Sequence, residues 1–125
     1  MSAQLKERTK LFAFDVYCFC GNLDVDGNRA QYVIKQLQRS SSSVAANYRA
    51  ACRGKSKADF IAKLGTVEEE ADESAFWLEF IKELSATPNF QLTPQISAEL
   101  DRLWDEANQL LAIMVSSKKT ARRNL

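Results

Sequence analysis

Apolar residues recur at helical spacing through four stretches of this chain, and the breaks between them are short. In the first stretch, residues 4–20, Leu5, Phe12, Val16 and Phe19 fall on one face. Leu11, Phe14 and Cys18 fall nearly opposite, and Asp15 is the only charge between Leu11 and Cys20. A helix that is apolar on nearly all sides has to be covered on nearly all sides. Gly21-Asn22 supplies its stop. The second stretch, 28–53, carries Ala30, Val33, Ile34, Leu37, Ser41, Val44, Tyr48 and Ala51 in one helical phase. That phase passes through Ser40-Ser41-Ser42-Ser43, which by composition alone would read as a linker. A flexible linker has no reason to preserve phase, so the pattern predicts one unbroken helix ended by Gly54. Within it, Ser41 is expected to permit close helix–helix approach.

The third stretch opens at Ser56, with Asp59 three residues on in a capping-box-like pattern, and runs to Leu84. Phe60, Leu64, Val67, Ala71, Ala75 and Leu78 form its core stripe. Phe76, Trp77, Phe80 and Leu84 lie on roughly the opposite side, so its second half has two apolar faces. A loop, 85–92, contains Pro88. Thr93 then caps the fourth stretch, with Pro94 at its first position. Its stripe is Ile96, Leu100, Leu103, Ala107, Leu111 and Met114. From Ser116 the chain turns polar and basic, which predicts a bundle domain over 1–117 and a frayed tail over 118–125.

Four amphipathic helices with short connections predict an all-α fold, an antiparallel up-down-up-down four-helix bundle. The length of 125 residues fits one domain, and 4 glycines and 2 prolines are too few for a fold rich in turns. The second apolar faces exceed what one bundle core absorbs. Lateral packing within the monomer, or scattered surface apolars, would account for them. Their clustered, aromatic character favours an oligomer interface formed by Phe76, Trp77, Phe80 and Leu84.

Net charge is only +1, but it is unevenly placed. Between Gly27 and Ala58 there is no acidic residue, while Arg29, Lys35, Arg39, Arg49, Arg53, Lys55 and Lys57 all lie there. Lys35, Arg39, Arg49 and Arg53 share the helix face away from the apolar stripe. Glu68, Glu69, Glu70, Asp72 and Glu73 crowd the middle of the third segment. Three readings stand. Both runs are solvated helix faces; or the basic stripe, with Lys55, Lys57 and the tail cations, tracks a phosphate backbone; or the basic and acidic patches meet across a subunit boundary. No aromatic-basic signature of sequence-specific RNA binding is present. Around the turn between the second and third segments, Ser56 is expected to cap the next helix and Arg53 to satisfy the preceding C-terminal carbonyls. Asn47, beside the apolar stripe, is expected to bond across to a neighbouring helix.

The chain has no histidine, which removes His-based triads, His general bases and His metal sites. It has no Gly-rich phosphate loop. Carboxylate metal sites in bundles draw ligands from several facing helices, and the second segment offers no carboxylate. No catalytic residue, cofactor or metal is therefore expected. The three cysteines, Cys18, Cys20 and Cys52, have no CxxC spacing and read as buried cytosolic thiols. Lys6, Arg8 and Lys10 precede an apolar run as in a signal peptide, but Asp15 interrupts that run and no small-residue cleavage site follows. No stretch approaches the roughly 20 apolar residues that span a bilayer. A cytoplasmic protein without membrane contact is expected.

The segment from Ser40 to Ile81, SSSSVAANYRAACRGKSKADFIAKLGTVEEEADESAFWLEFI, resembles the bacterial 23S rRNA intervening-sequence protein family. The likeness is carried by Ser43-Val44-Ala45-Ala46-Asn47-Tyr48, Ser56-Lys57-Ala58-Asp59-Phe60 and Glu70-Ala71-Asp72-Glu73. The resemblance implies an antiparallel four-helix bundle assembled as a ring-shaped homopentamer, with a non-enzymatic role. It further implies a relation to accessory proteins of diversity-generating retroelements, which bind nucleic acid and a reverse transcriptase. Two functions follow: an oligomer that binds RNA or other nucleic acid through the second helix, or a protein-interaction scaffold whose patches serve assembly and recruitment.

Overall fold

In the computed structural model, which describes residues 2–124, four helices account for most of the chain: α1 (Ser2–Gly21), α2 (Asn28–Cys52), α3 (Lys57–Leu84) and α4 (Pro94–Arg123). Each begins or ends where local chemistry requires it. Gly27, at φ 101°, precedes α2 in a backbone conformation that L side chains rarely adopt. Ser56 accepts a hydrogen bond from the Asp59 amide at 3.0 Å, and Thr93 accepts one from the Ile96 amide at 3.2 Å. Pro94 occupies the first turn of α4, where its missing donor costs nothing.

α2 is unbroken through the serine run, as the apolar phase predicted. The hydroxyls of Ser40, Ser41 and Ser42 donate to the carbonyls of Leu37, Gln38 and Arg39 at 3.2, 3.2 and 3.0 Å. Each polar side chain is thus satisfied by the preceding turn, so two of them enter the core without an unpaired group. Ser41 is buried, as expected, and so is Ser40. The Ser40 oxygen lies 3.0 Å from the Ser74 hydroxyl of α3, itself buried and 2.9 Å from the Glu70 carbonyl.

Cross-helix contacts give the topology. Arg8 pairs with Glu106 and Asp15 with Arg102, so α1 and α4 run in opposite directions. Ser40 meets Ser74 and Tyr32 meets Trp77, which sets α2 against α3 in the same sense. Lys82 meets Asp101, Trp104 meets Glu79 and Lys118 meets Glu68, which does so for α3 and α4. Contacts join α1 to α2, α2 to α3, α3 to α4 and α4 to α1, leaving α1 and α3 on one diagonal. The core contains every stripe residue predicted for α2, together with Leu64, Leu78, Leu100, Leu103 and Met114. Ile81 and Leu110 join it, and Val25 and Phe90 close it from the connecting loops.

The C-terminal segment differs from expectation. α4 continues through Arg123 instead of fraying after residue 117. Ala121 is buried, and the Lys118 ammonium reaches Glu68 at 2.8 Å, so this basic stretch is tied down by packing and by charge. Two substitutions test these local arguments by urea or thermal unfolding. Replacing Gly27 with Ala forces a Gly-only conformation on an L residue and should cost about 1–3 kcal/mol, although the space around it is open. Replacing Ser41 with Leu should overpack the core by about 1–3 kcal/mol.

Candidate functional surfaces

Of the basic stripe, Arg39 is not free. Its guanidinium donates to Glu70 at 3.3 Å and to Glu73 of the same chain, and the Glu73 bond, followed by both acidic charges, raises its pKa. Glu73 also accepts from the Trp77 indole at 3.2 Å. Part of the acidic run therefore neutralises part of the basic stripe inside one subunit. This is a fourth arrangement that linear reading did not separate from the other three.

The remaining cations are arranged differently. Lys35, Arg49, Arg53, Lys55 and Lys57 are exposed, and their side chains form no ion pair among the described residues. The last four sit at one end of the bundle, where α2 ends and α3 begins. The antiparallel topology brings the end of α4 to the same place, as the Lys118–Glu68 pair shows. That adds Lys119, Arg122 and Arg123, which are exposed and likewise unpaired among the described residues. The acidic residues nearby are already engaged, Asp59 with Lys63 at 2.5 Å and Glu68 with Lys118. Hydrogen bonds from Lys63 and from the Lys55 amide hold the Asp59 carboxyl below its ordinary range, so it stays charged beside its partner. The cations at the ends of α2 and α4 also suit the negative end of each helix dipole.

At this turn Arg53 meets the last carbonyls of α2 as expected, through its amide, which with that of Gly54 bonds Ala50 and Ala51 at 3.1 and 2.9 Å; the expectation for Asn47 is corrected. Gly54 is needed for closeness: a Cβ there would lie 3.0 Å from the Ala51 oxygen and 3.1 Å from Asp59. Asn47 bonds within its own helix, donating to the Ser43 carbonyl at 2.9 Å and the Ser43 hydroxyl at 2.7 Å, because Ser43 one turn back offers both acceptors.

The second surface is apolar. Phe76 is 51% exposed and Phe80 39%. Trp77 and Leu84 are half-buried and pack on the core from outside. The rings form a cluster, with Phe76–Trp77 centroids 4.8 Å apart, Trp77–Phe80 5.5 Å, and Tyr32 of α2 edge-on to Trp77 at 6.0 Å. Tyr32, which periodicity left outside every stripe, belongs to this patch. Beside it an open groove of about 970 Å³ runs between α2, α3 and the α3–α4 loop, lined by Tyr32, Val33, Phe80, Leu84 and Phe90. A further apolar strip, Leu11, Phe14 and Tyr17, lies exposed along α1. The second face of α1 is thus left uncovered within one chain.

No three carboxylate or thiol side chains among the described residues converge as metal ligands would. No helix is long and apolar enough to cross a membrane. The four helices and their packing define a small helical-bundle protein. The chain belongs to the 23S rRNA-intervening sequence protein family, whose sequence model matches residues 2–113. A solved structure from Bacteroides thetaiotaomicron, described as a protein of unknown function from the S23 ribosomal protein family, is similar over 95% of this chain and 99% of its own. The two share 25% sequence identity, with a TM-score of 0.76. No curated protein matches the chain.

The thiols give a check on the surface map. Of the three thiols expected to be buried, Cys18 is exposed and Cys52 half-buried, because they lie off the core face of their helices, whereas burial pushes the Cys20 thiol up to about 12. A thiol reagent at neutral pH should modify Cys18 at once and Cys20 only after denaturant is added; immediate reaction of Cys20 in the folded protein would contradict this packing.

Proposed function

We propose that the protein is a non-enzymatic, nucleic-acid-binding assembly factor, and that RNA is the nucleic acid its family points to. The observation that supports this reading most directly is the group of seven exposed cations at one end of the bundle that form no ion pair among the described residues: Arg49, Arg53, Lys55, Lys57, Lys119, Arg122 and Arg123. Solvated cations with no internal partner are free to replace counterions on a phosphate backbone. Lys35 lies farther along α2 and adds to the approach. Arg39, held by Glu70 and Glu73, plays no direct part. Nothing in the cluster is organised to read base edges, so binding is weak and sequence-independent. The free thiols suit a reducing, cytoplasmic setting.

The test is anisotropy of a labelled RNA across a salt series. With about four phosphate contacts, log affinity should fall against log salt with a slope of roughly −3 to −4. Reversing Arg49 and Arg53 to Glu should abolish binding, while Arg39→Ala should change it little. Absence of binding by the wild type at low salt, or a loss with Arg39→Ala as large as with the double reversal, would sink this reading.

A second proposal concerns assembly, motivated by the exposed Phe76 and Phe80 and the half-buried Trp77 and Leu84. We read these as part of a self-association surface, with a homopentamer as the stoichiometry that the family resemblance implies. The same surfaces suit a scaffold that recruits a protein such as a reverse transcriptase, and repeated basic ends would strengthen nucleic-acid binding by avidity. Light scattering at micromolar concentration should give a mass several times 14.1 kDa; a clean monomer would refute it.

A further inference from the structure

The cations and the exposed rings of this protein are segregated along the bundle. From Ala46 to Val67, across the turn between α2 and α3, the only acidic residue is Asp59, and beyond Met114 α4 has none. Asp59 is paired with Lys63, and Glu68, next along α3, with Lys118. The potential at this end is therefore positive without local interruption. Every ring that is exposed among the described residues lies elsewhere. Phe14 and Tyr17 are on the second half of α1, Tyr32 near the start of α2, Phe76 and Phe80 on the second half of α3, and Trp104 on the first half of α4. In an antiparallel bundle those stretches lie toward the other end; from Lys57 to Phe76 the axis of α3 runs about 28 Å.

Carboxylates surround those rings. Asp72 and Glu79 lie within a turn of Phe76, Glu83 within a turn of Phe80, and the Trp104 indole donates to Glu79 at 2.8 Å. Two cations without an ion pair among the described residues approach the rings: Arg29, in a groove it shares with Asp26, and Lys35, in a crevice with Tyr17. They are isolated, unlike the seven at the basic end. There the aromatic side chains are Tyr48, which is buried, and Phe60, which is half-buried against the core. No ring stands three or four positions along the chain from Arg49, Arg53, Lys119, Arg122 or Arg123, so a base laid on one of these guanidinium groups has no adjacent ring on that helix to close over it.

Proteins that hold single strands combine a cationic track with rings on which successive bases stack, and the stacking supplies much of the affinity. Here the track and the rings are separated, which leaves phosphate contact as the interaction the basic end can make. A double helix suits that interaction better. Its bases are already stacked on one another, and it carries about one charge per 1.7 Å of axis, so more counterions are released per contact than from a single strand. We infer that the basic end takes the phosphate backbone of a double-helical stem in preference to a single strand. This rests on the nucleic-acid reading above and adds the form of nucleic acid that the site accepts.

The test uses the unaltered full-length protein and two labelled RNAs of equal nucleotide count, one folding into a hairpin stem and one an unstructured uridine-rich strand. With about four phosphate contacts, log affinity should fall against log salt with a slope of roughly −3.6 for the stem and −2.8 for the strand, and the stem should bind about fivefold or more tightly at low salt. Phe60→Leu, with folding checked by circular dichroism, should leave both affinities within about twofold. A selective loss of single-strand binding in that variant would show that bases stack on Phe60 and would overturn the inference. So would a single strand bound as tightly as the stem by the wild type, a comparison that needs no variant; in that case the nucleic-acid reading survives and only the preference for a double helix fails. Binding of neither RNA at low salt sinks the nucleic-acid reading itself, and this inference with it.

Discussion

The seam between α2 and α3 is the constraint on which the surfaces depend. At its centre two buried serines, Ser40 and Ser74, stand 3.0 Å apart, and neither leaves a hydroxyl unpaired, because each also bonds a carbonyl of its own preceding turn. Small side chains here let the backbones come close, and their hydrogen bonds hold the register. In that register Arg39 reaches Glu70 and Glu73, and Tyr32 meets Trp77 edge-on. A slip of one turn would release Arg39 to solvent and scatter the aromatic cluster. The charge pattern and the apolar patch are therefore consequences of one packing contact.

Antiparallel topology then sorts charges that are mixed along the chain. The end of α2 and the start of α3 adjoin in sequence, and the end of α4, much farther along the chain, lies toward the same end of the bundle; all three are basic. Their acids, Asp59 and Glu68, are each bound to a lysine, which leaves an excess of solvated cations there. A net charge of +1 conceals this separation, because most of the compensating carboxylates lie on α3 beyond Glu68 and on α4 before Gln109. For a bundle of this kind, local potential and not total charge governs encounter with a polyanion.

Much of the candidate surface was legible. Arg49, Arg53, Lys55 and Lys57 were found from an acid-free stretch, and Phe76 and Phe80 from a second apolar face. The role expected of Arg39 was not legible, since its partners lie more than thirty residues away on another helix. Tyr32 was missed for a related reason. A lone aromatic off the stripe carries no periodic signal, and only the neighbouring helix reveals what it joins. Asn47 shows the reverse case: its position beside the stripe suggested a cross-helix bond, yet Ser43, one turn away, is the nearer acceptor.

By itself the sequence determined the number of helices, their limits apart from the end of α4, the continuity of α2 through its serines and the identity of most core residues. These are local matters: period, caps and the burial of one stripe per helix depend on residues a few positions apart. The tertiary structure alone decided which charges cancel and which remain solvated. It also decided that α4 stays helical to Arg123, and that the uncovered stripes of α1 and α3 lie on opposed helices. Those depend on which helices are neighbours and at what height they face each other, and a hydrophobic period is blind to both.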